Sequence, residues 1–265
     1  ARELLAAGKI TDLAEDAPFD RRVARLFAQC PEIVEGMDIM HMRAPEVFEF
    51  IRNRHLLDVV ESLVGPEITC NPIQHLRAKV PSTLGNGTHE LVPWHQDSAV
   101  TWEEAEHSGI VTCWIPLVDA TRETGCMEVL PGANQLGYIE HRSEGGTMIK
   151  PELMPDIAPL TATCPRGGVV FMTLLTPHRG LPNVSDRVRW TIDLRYQETG
   201  TPTGRPFYPD FPVRSARDAD SVLTDHVEWS RRWEKALVDG KGQIWHRPKM
   251  QEAMTAGSKP SVGGY

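Results

Sequence analysis

Trp94-His95-Gln96-Asp97, Thr176-Pro177-His178 and, further on, Arg189 bring two imidazoles, one carboxylate and one guanidinium to this 265-residue chain. Two imidazoles and a carboxylate are the donors with which proteins hold non-haem Fe(II) for oxygen chemistry, because three side chains leave coordination positions open. A structural zinc site would instead fill all four of its positions with side chains. His95 and Asp97 are two residues apart, so on an extended strand both leave one face while Trp94 and Gln96 leave the other. The third donor must then come from a neighbouring strand. The apolar run Val169-Val170-Phe171-Met172 is suited to carry His178 to a strand end. An HxD pair alone says little in a chain with 10 histidines; the second half of the set gives it weight.

Arg189 follows the turn-forming segment Pro182 to Asp186 and sits on a strand reading Val188 to Arg195. A guanidinium is a rigid fork of donors that matches a carboxylate with two parallel hydrogen bonds, so Arg189 suits an acidic co-substrate. Alternation puts Arg187, Arg189, Thr191, Asp193 and Arg195 on one face and apolar residues on the other. Beside a metal motif, that polar face reads as the lining of a cavity. Without the motif it would read as a solvated surface.

The elements that must position these groups are mainly strands. From Pro45 to Gly65-Pro66, apolar residues at helical spacing predict one helix, and weaker helical patterns cover Arg2 to Ala7 and Arg21 to Gln29. After Pro66 the chain turns to short β-branched and aromatic runs separated by Gly, Pro, Asn and Asp. Strands are predicted over Ile73 to Val80, Val111 to Val118, Met127 to Leu130, Gly168 to Thr173 and Val188 to Gln197. Turns are predicted at Leu84 to Gly87, Glu123 to Gly125, Pro131-Gly132, Pro165 to Gly167 and Asn183 to Asp186. No long helix separates the strands, which argues against a parallel sheet and for an antiparallel jelly roll. A helix follows between Ser221 and Asp239, and Gly257 to Tyr265 reads as a loose end. The fold class is mainly β: a double-stranded β-helix, cupin-like, with flanking N-terminal and C-terminal helices. Residues 1–265 are expected to form a single domain, with a helical cover over 1–65, a jelly-roll core over 66–200 and a C-terminal extension over 201–265.

Composition bounds the partners. Hydrophobic residues at 40% and charged residues at 24% suit a folded globular chain. A net charge of −8 with dispersed Lys and Arg argues against nucleic acid and against an anionic membrane surface. Cys30, Cys70, Cys113, Cys126 and Cys164 show no metal-ligand or disulfide spacing, which points to reduced thiols and a cytoplasmic location. No apolar stretch reaches the ~20 residues of a membrane span. A small-molecule substrate is the expected partner, for a monomer or a homodimer.

Three segments together resemble the phytanoyl-CoA dioxygenase family of Fe(II)/2-oxoglutarate oxygenases: WHQDS at 94–98, CWIPLVDATRETGCMEVLPGANQLG at 113–137, and HRGLPNVSDRVRWTIDLRYQ at 178–197. The resemblance implies that His95, Asp97 and His178 are the iron ligands and that Arg189 binds the distal carboxylate of 2-oxoglutarate. It implies that Gln96 and Trp114 line the co-substrate pocket; Lys79 is a candidate second anchor, with a plain salt bridge as its alternative role. Fe(II), 2-oxoglutarate and O2 are the implied cofactors, with succinate and CO2 as products. Asp97 argues for hydroxylation or another C–H oxidation, since related halogenases have a small residue there. The chain departs from the family at Gly180, where a hydroxyl residue is common, and at Pro131-Gly132-Ala133-Asn134, where a Pro-Gly-Ser-His turn is common. Glu103, Glu104 and Glu106, with Trp102, make the segment from Ser98 to Gly109 a candidate lid, with a plain solvated loop as its alternative. Met127, Phe171, Met172, Trp190 and Phe207 are candidate walls of an apolar pocket. Two readings compete with a small-molecule hydroxylase of secondary or lipid metabolism: a cupin-like isomerase or lyase using the triad without 2-oxoglutarate, and a non-catalytic sensor on the same fold.

Overall fold

The computed structural model describes residues 1–35, 37–85, 92–143 and 147–241. Gly257 to Tyr265 and part of the turn at Leu84 to Gly87 lie outside the described residues. Two short elements open the chain, α1 (Arg2–Ala6) and α2 (Phe19–Gln29). The single helix expected from Pro45 is two, α3 (Pro45–Ile51) and α4 (Arg54–Val64). The break falls at Asn53, whose side chain accepts from the backbone N–H groups of His55 and Leu56 and so caps α4. Gly65, at φ 89, ends α4 as expected.

The strands follow in order: β1 (Ile68–Cys70), β2 (His75–Lys79), β3 (Val92–His95), β4 (Val111–Pro116), β5 (Met127–Val129), β6 (His141–Ser143), β7 (Thr147–Ile149), β8 (Leu160–Ala162), β9 (Val170–Thr173), β10 (His178–Gly180), β11 (Arg189–Glu198) and β12 (Phe211–Arg214). The helix α5 (His226–Asp239) comes last. All inter-strand pairings are antiparallel. A larger sheet runs β12-β1-β11-β4-β9 with β2 also on β11, and a smaller one runs β3-β10-β5-β8; β6 and β7 form a hairpin. This is the expected jelly roll, with one boundary moved. β12 lies beyond residue 200 yet pairs with β1, so the larger sheet takes a strand from the C-terminal extension. Pro206, Pro209 and Pro212 hide it in the sequence, and an edge strand is where proline is tolerated.

β11 explains how the two faces differ. Trp190, Ile192, Leu194 and Tyr196 point outward and are buried beneath helices. Phe48, Ile51, Leu57 and Val60 of α3 and α4 pack there with Trp229 and Trp233 of α5. Val23, Ala24 and Phe27 of α2 cover the Val188 and Trp190 end. Arg189, Thr191, Asp193 and Arg195, on the inner face, are buried as well. Trp114, Met127, Met172 and Leu181 fill one part of the space between the sheets. Of the expected apolar pocket walls, Met127 and Met172 lie in this inner cluster, whereas Trp190 stacks outside on Phe19. All five cysteines are free and buried. No helix among the described residues is long and apolar enough to cross a membrane.

Candidate functional site

His95 and His178 are directly opposed across the β3–β10 pair, so their side chains leave the same face together. Their ring centroids are 4.1 Å apart. Each ring is held in the same way: Nδ1 of His95 donates to the Pro93 carbonyl and Nδ1 of His178 to the Thr176 carbonyl, both at 2.9 Å. With Nδ1 protonated, Nε2 keeps the lone pair a metal requires. Asp97 is reached differently from the two-residue strand repeat. β3 ends at His95, and Asp97 opens a 3-10 turn, Asp97–Val100, that turns the carboxylate inward. The ligand atoms of His95, Asp97 and His178 all lie within 4.8 Å of one another.

Asp97 spends one oxygen on the protein. Its Oδ2 accepts from Arg195 Nη2 at 2.7 Å, Arg195 Nε at 3.2 Å and Thr112 Oγ1 at 2.9 Å, leaving Oδ1 beside Nε2 of His95 at 3.9 Å. Burial favours the neutral acid, but Arg195, through its charge and its hydrogen bonds, outweighs it and holds Asp97 ionised. Burial, helped by the charge of His178, pushes the pKa of His95 down to about 3, so its ring is neutral at physiological pH. An ionised carboxylate and a neutral imidazole are the protonation states in which such side chains bind iron. Sequence reasoning put Arg195 on the inner face without giving it a role. Thr112 carried no signal, because its place beside Asp97 depends on how β4 lies in the larger sheet.

Arg189 is 5% exposed. Its Nη1 donates to Thr191 Oγ1 at 2.9 Å, its guanidinium lies 5.4 Å from the centre of the Trp114 ring, and its Nε is buried with no hydrogen-bond partner. Burial brings its pKa down to about 10 against the opposing charge of Asp193. A guanidinium in this setting needs an anion. Lys79 is opposite Arg189 in the β2–β11 register. Its Nζ lies 3.3 Å from where a Cβ on Gly180 would stand, so the missing side chain at position 180 leaves room for the ammonium.

Trp114 therefore borders the Arg189 space, whereas Gln96 does not line it. Gln96 is fully buried: its amide donates to the Gly137 and Leu175 carbonyls and accepts from the Ile139 N–H. It fixes the segments behind His95 and His178. The segment after Asp97 is also anchored, since Arg205 donates twice to the Val100 carbonyl and Trp102 packs edge-on against Phe207. Glu103 and Glu104 are exposed.

Among known families, residues 16–191 match the one described as Phytanoyl-CoA dioxygenase (PhyH). The chain belongs to the phytanoyl-CoA dioxygenase family. A curated relative, 1-deoxypentalenic acid 11-beta-hydroxylase of Streptomyces arenae, is 29% identical over 149 residues, which are 52% of this chain and 51% of that one. The chain thus spans about half the length of the curated relative it matches. Among solved structures, the non-haem monooxygenase ThoJ in its apo form has a TM-score of 0.58 at 18% identity, covering 88% of this chain and 100% of that one. The epimerase SnoN, in complex with Fe3+, alpha-ketoglutarate and nogalamycin RO, has a TM-score of 0.54 at 20% identity, covering 76% and 81%. At these identities the two structures speak for the fold. That family is one of 2-oxoglutarate-dependent non-haem iron oxygenases, whose cofactors are Fe(II), 2-oxoglutarate and O2.

Proposed function

We propose that the chain is a small-molecule hydroxylase, in which His95, Asp97 and His178 hold Fe(II) and Arg189 holds the distal carboxylate of 2-oxoglutarate. The observation that carries the reading is Arg189: a buried guanidinium with an unpartnered Nε, on the same inner face as the carboxylate–imidazole cluster. An isomerase that did not use a dicarboxylate would have no use for it. Trp114 orients the guanidinium from one side, and Lys79 stands beside it as the second cation. When bound, the iron and 2-oxoglutarate couple oxidative decarboxylation to insertion of oxygen at a C–H bond. The protein fixes the donors, shields the site from water and aims the substrate.

For the substrate, an apolar cavity of about 410 Å³ lies against β3 and β10, with Trp94, Met148, Met154 and Leu181 in its walls. Val92 borders both this cavity and the smaller space around His95 and Asp97. The volume suits a compact, largely apolar metabolite rather than a macromolecule. Hydroxylation is preferred over other outcomes because Asp97 keeps a carboxylate on the metal, and the curated relative is a hydroxylase. We read residues 1–265 as one domain, since helices from both ends cover the same sheet face.

The test is anaerobic addition of Fe(II) and then 2-oxoglutarate, watching for the weak visible charge-transfer absorption of the chelate. The band should form and should be lost in His178→Ala. Iron binding without a band, at saturating 2-oxoglutarate, would overturn the assignment.

A further inference from the structure

The small space at the cluster is bordered by two strand β2 side chains as well as by His95, Asp97 and Arg195: His75 and Arg77. They are two residues apart and leave the same inner face as Lys79. Each is oriented by a carboxylate from another part of the chain. The Nδ1–H of His75 donates to Asp38 Oδ2 at 2.9 Å. Asp38 is itself fixed by the N–H groups of Ile39 and Leu76 on its other oxygen. Nε of Arg77 donates to Asp193 Oδ2 at 3.1 Å.

This arrangement sets the hydrogen-bonding character that the two residues present. Against the push of burial, the hydrogen bond from His75, the charge of Arg77 and the Ile39 N–H hold the pKa of Asp38 at about 2, while burial lowers that of His75 itself. A neutral ring whose Nδ1–H donates to Asp38 has an unprotonated Nε2, which accepts. Arg77 can only donate. An acceptor and a donor side by side match a hydroxyl, which gives its proton to one and takes a hydrogen bond from the other. A carboxylate would face the lone pair of His75, and an ammonium would face Arg77.

We propose that His75 and Arg77 form a hydroxyl-reading pair, so that the substrate is an alcohol whose OH is held beside the C–H bond to be oxidised. This deepens the hydroxylase reading and rests on it for the word substrate. His75 is a specificity residue, positioned by Asp38.

The test uses the whole chain with Zn(II) in place of iron, to keep it diamagnetic, and nitrogen-15 NMR of the imidazoles. In the wild-type protein His75 should carry its proton on Nδ1. Cyclohexanol should shift the Nε2 resonance and bind about tenfold more tightly than cyclohexyl methyl ether, which cannot donate. His75→Phe should abolish that preference, and His75→Gln, which keeps an acceptor, should restore part of it. Unchanged binding of 2-oxoglutarate to both variants shows that they are folded. A proton on Nε2, or equal responses to alcohol and ether in the wild type, would overturn the proposal. The 2-oxoglutarate absorption band on the iron form is read separately, so failure of the hydroxylase reading would be recognised as such.

Discussion

Arg195 grips Asp97 from 98 residues away, with Nη2 and Nε both on Oδ2 while Nη1 donates to the Ile73 carbonyl. The guanidinium keeps the carboxylate ionised and turns its other oxygen to the imidazoles. Arg195→Met should leave a buried, unpaired carboxylate, costing about 3–5 kcal/mol of stability. Fe(II) affinity should fall by about 10- to 100-fold as the donor loses its orientation. Arg195→Lys keeps the charge without the fork and should recover stability better than affinity. Thermal melting and iron titration read the two effects, and an unchanged iron affinity in Arg195→Met would show that Asp97 is not a ligand.

Arg189 should behave in the opposite way. It touches none of the three proposed ligands, and its hydrogen bond to Thr191 holds its direction. Arg189→Ala should weaken 2-oxoglutarate binding by about a hundredfold, the equivalent of roughly 3 kcal/mol for a desolvated charged pair. Iron affinity should change by no more than a few-fold. Equilibrium titration of the absorption band would decide the matter; similar losses for both ligands would point to a structural role for Arg189.

Gly180 links the family departure to Lys79. A methyl group there would stand 3.3 Å from Lys79 Nζ and 3.3 Å from Val92 Cβ. The ammonium can swing away, but the valine backbone cannot, so Gly180→Val should crowd the pocket and Gly180→Ala only displace Lys79. We expect Gly180→Ala to stay folded and to raise the KM for 2-oxoglutarate several-fold. Lys79→Met should raise it by about as much, with little further loss in the double variant, since the two changes act on one group. Additive losses would mean that Gly180 and Lys79 act independently.

The chemistry-bearing residues were legible because type and alternation coincide. Arg189 sits on β11, which shows the alternation over ten residues, whereas the run Val169 to Met172 that was expected to carry His178 belongs to β9 in the larger sheet, and His178 lies on the separate short strand β10 of the smaller one. Asp97 was found for a partly wrong reason: the strand stops at His95, and a 3-10 turn, not the pleat, aims the carboxylate. Gln96 was given a pocket role by the resemblance alone, although alternation put it on the face opposite to His95; its amide bonds the backbone of Gly137, Leu175 and Ile139. The division at Asn53 was missed because apolar spacing continues through it; the signal was the cap residue itself. Thr112 and Asp38 could not be read, since they reach the site through pairings that no local pattern encodes; alternation put Asp193 on the inner face, but not its pairing with Arg77.

His95 gives the metal-free protein a defined response to acid. Burial first, and then the charge of His178, keep its folded-state pKa at about 3, whereas an unfolded histidine titrates near 6.5. The unfolded chain therefore binds a proton that the folded one refuses. Stability from this group is fully present above about pH 6.5 and is lost as the pH falls toward 3. By pH 5 the loss is on the order of 2 kcal/mol. Asp97, also depressed in the folded state, adds its own loss only below about pH 4, where an unfolded carboxylate begins to take up protons. Urea unfolding with a chelator present should show the midpoint falling between pH 7 and pH 5, and His95→Gln should flatten that fall. A midpoint that does not move over this interval in the wild type would mean that the His95 ring is solvated, and with it the dry donor set on which the iron assignment depends.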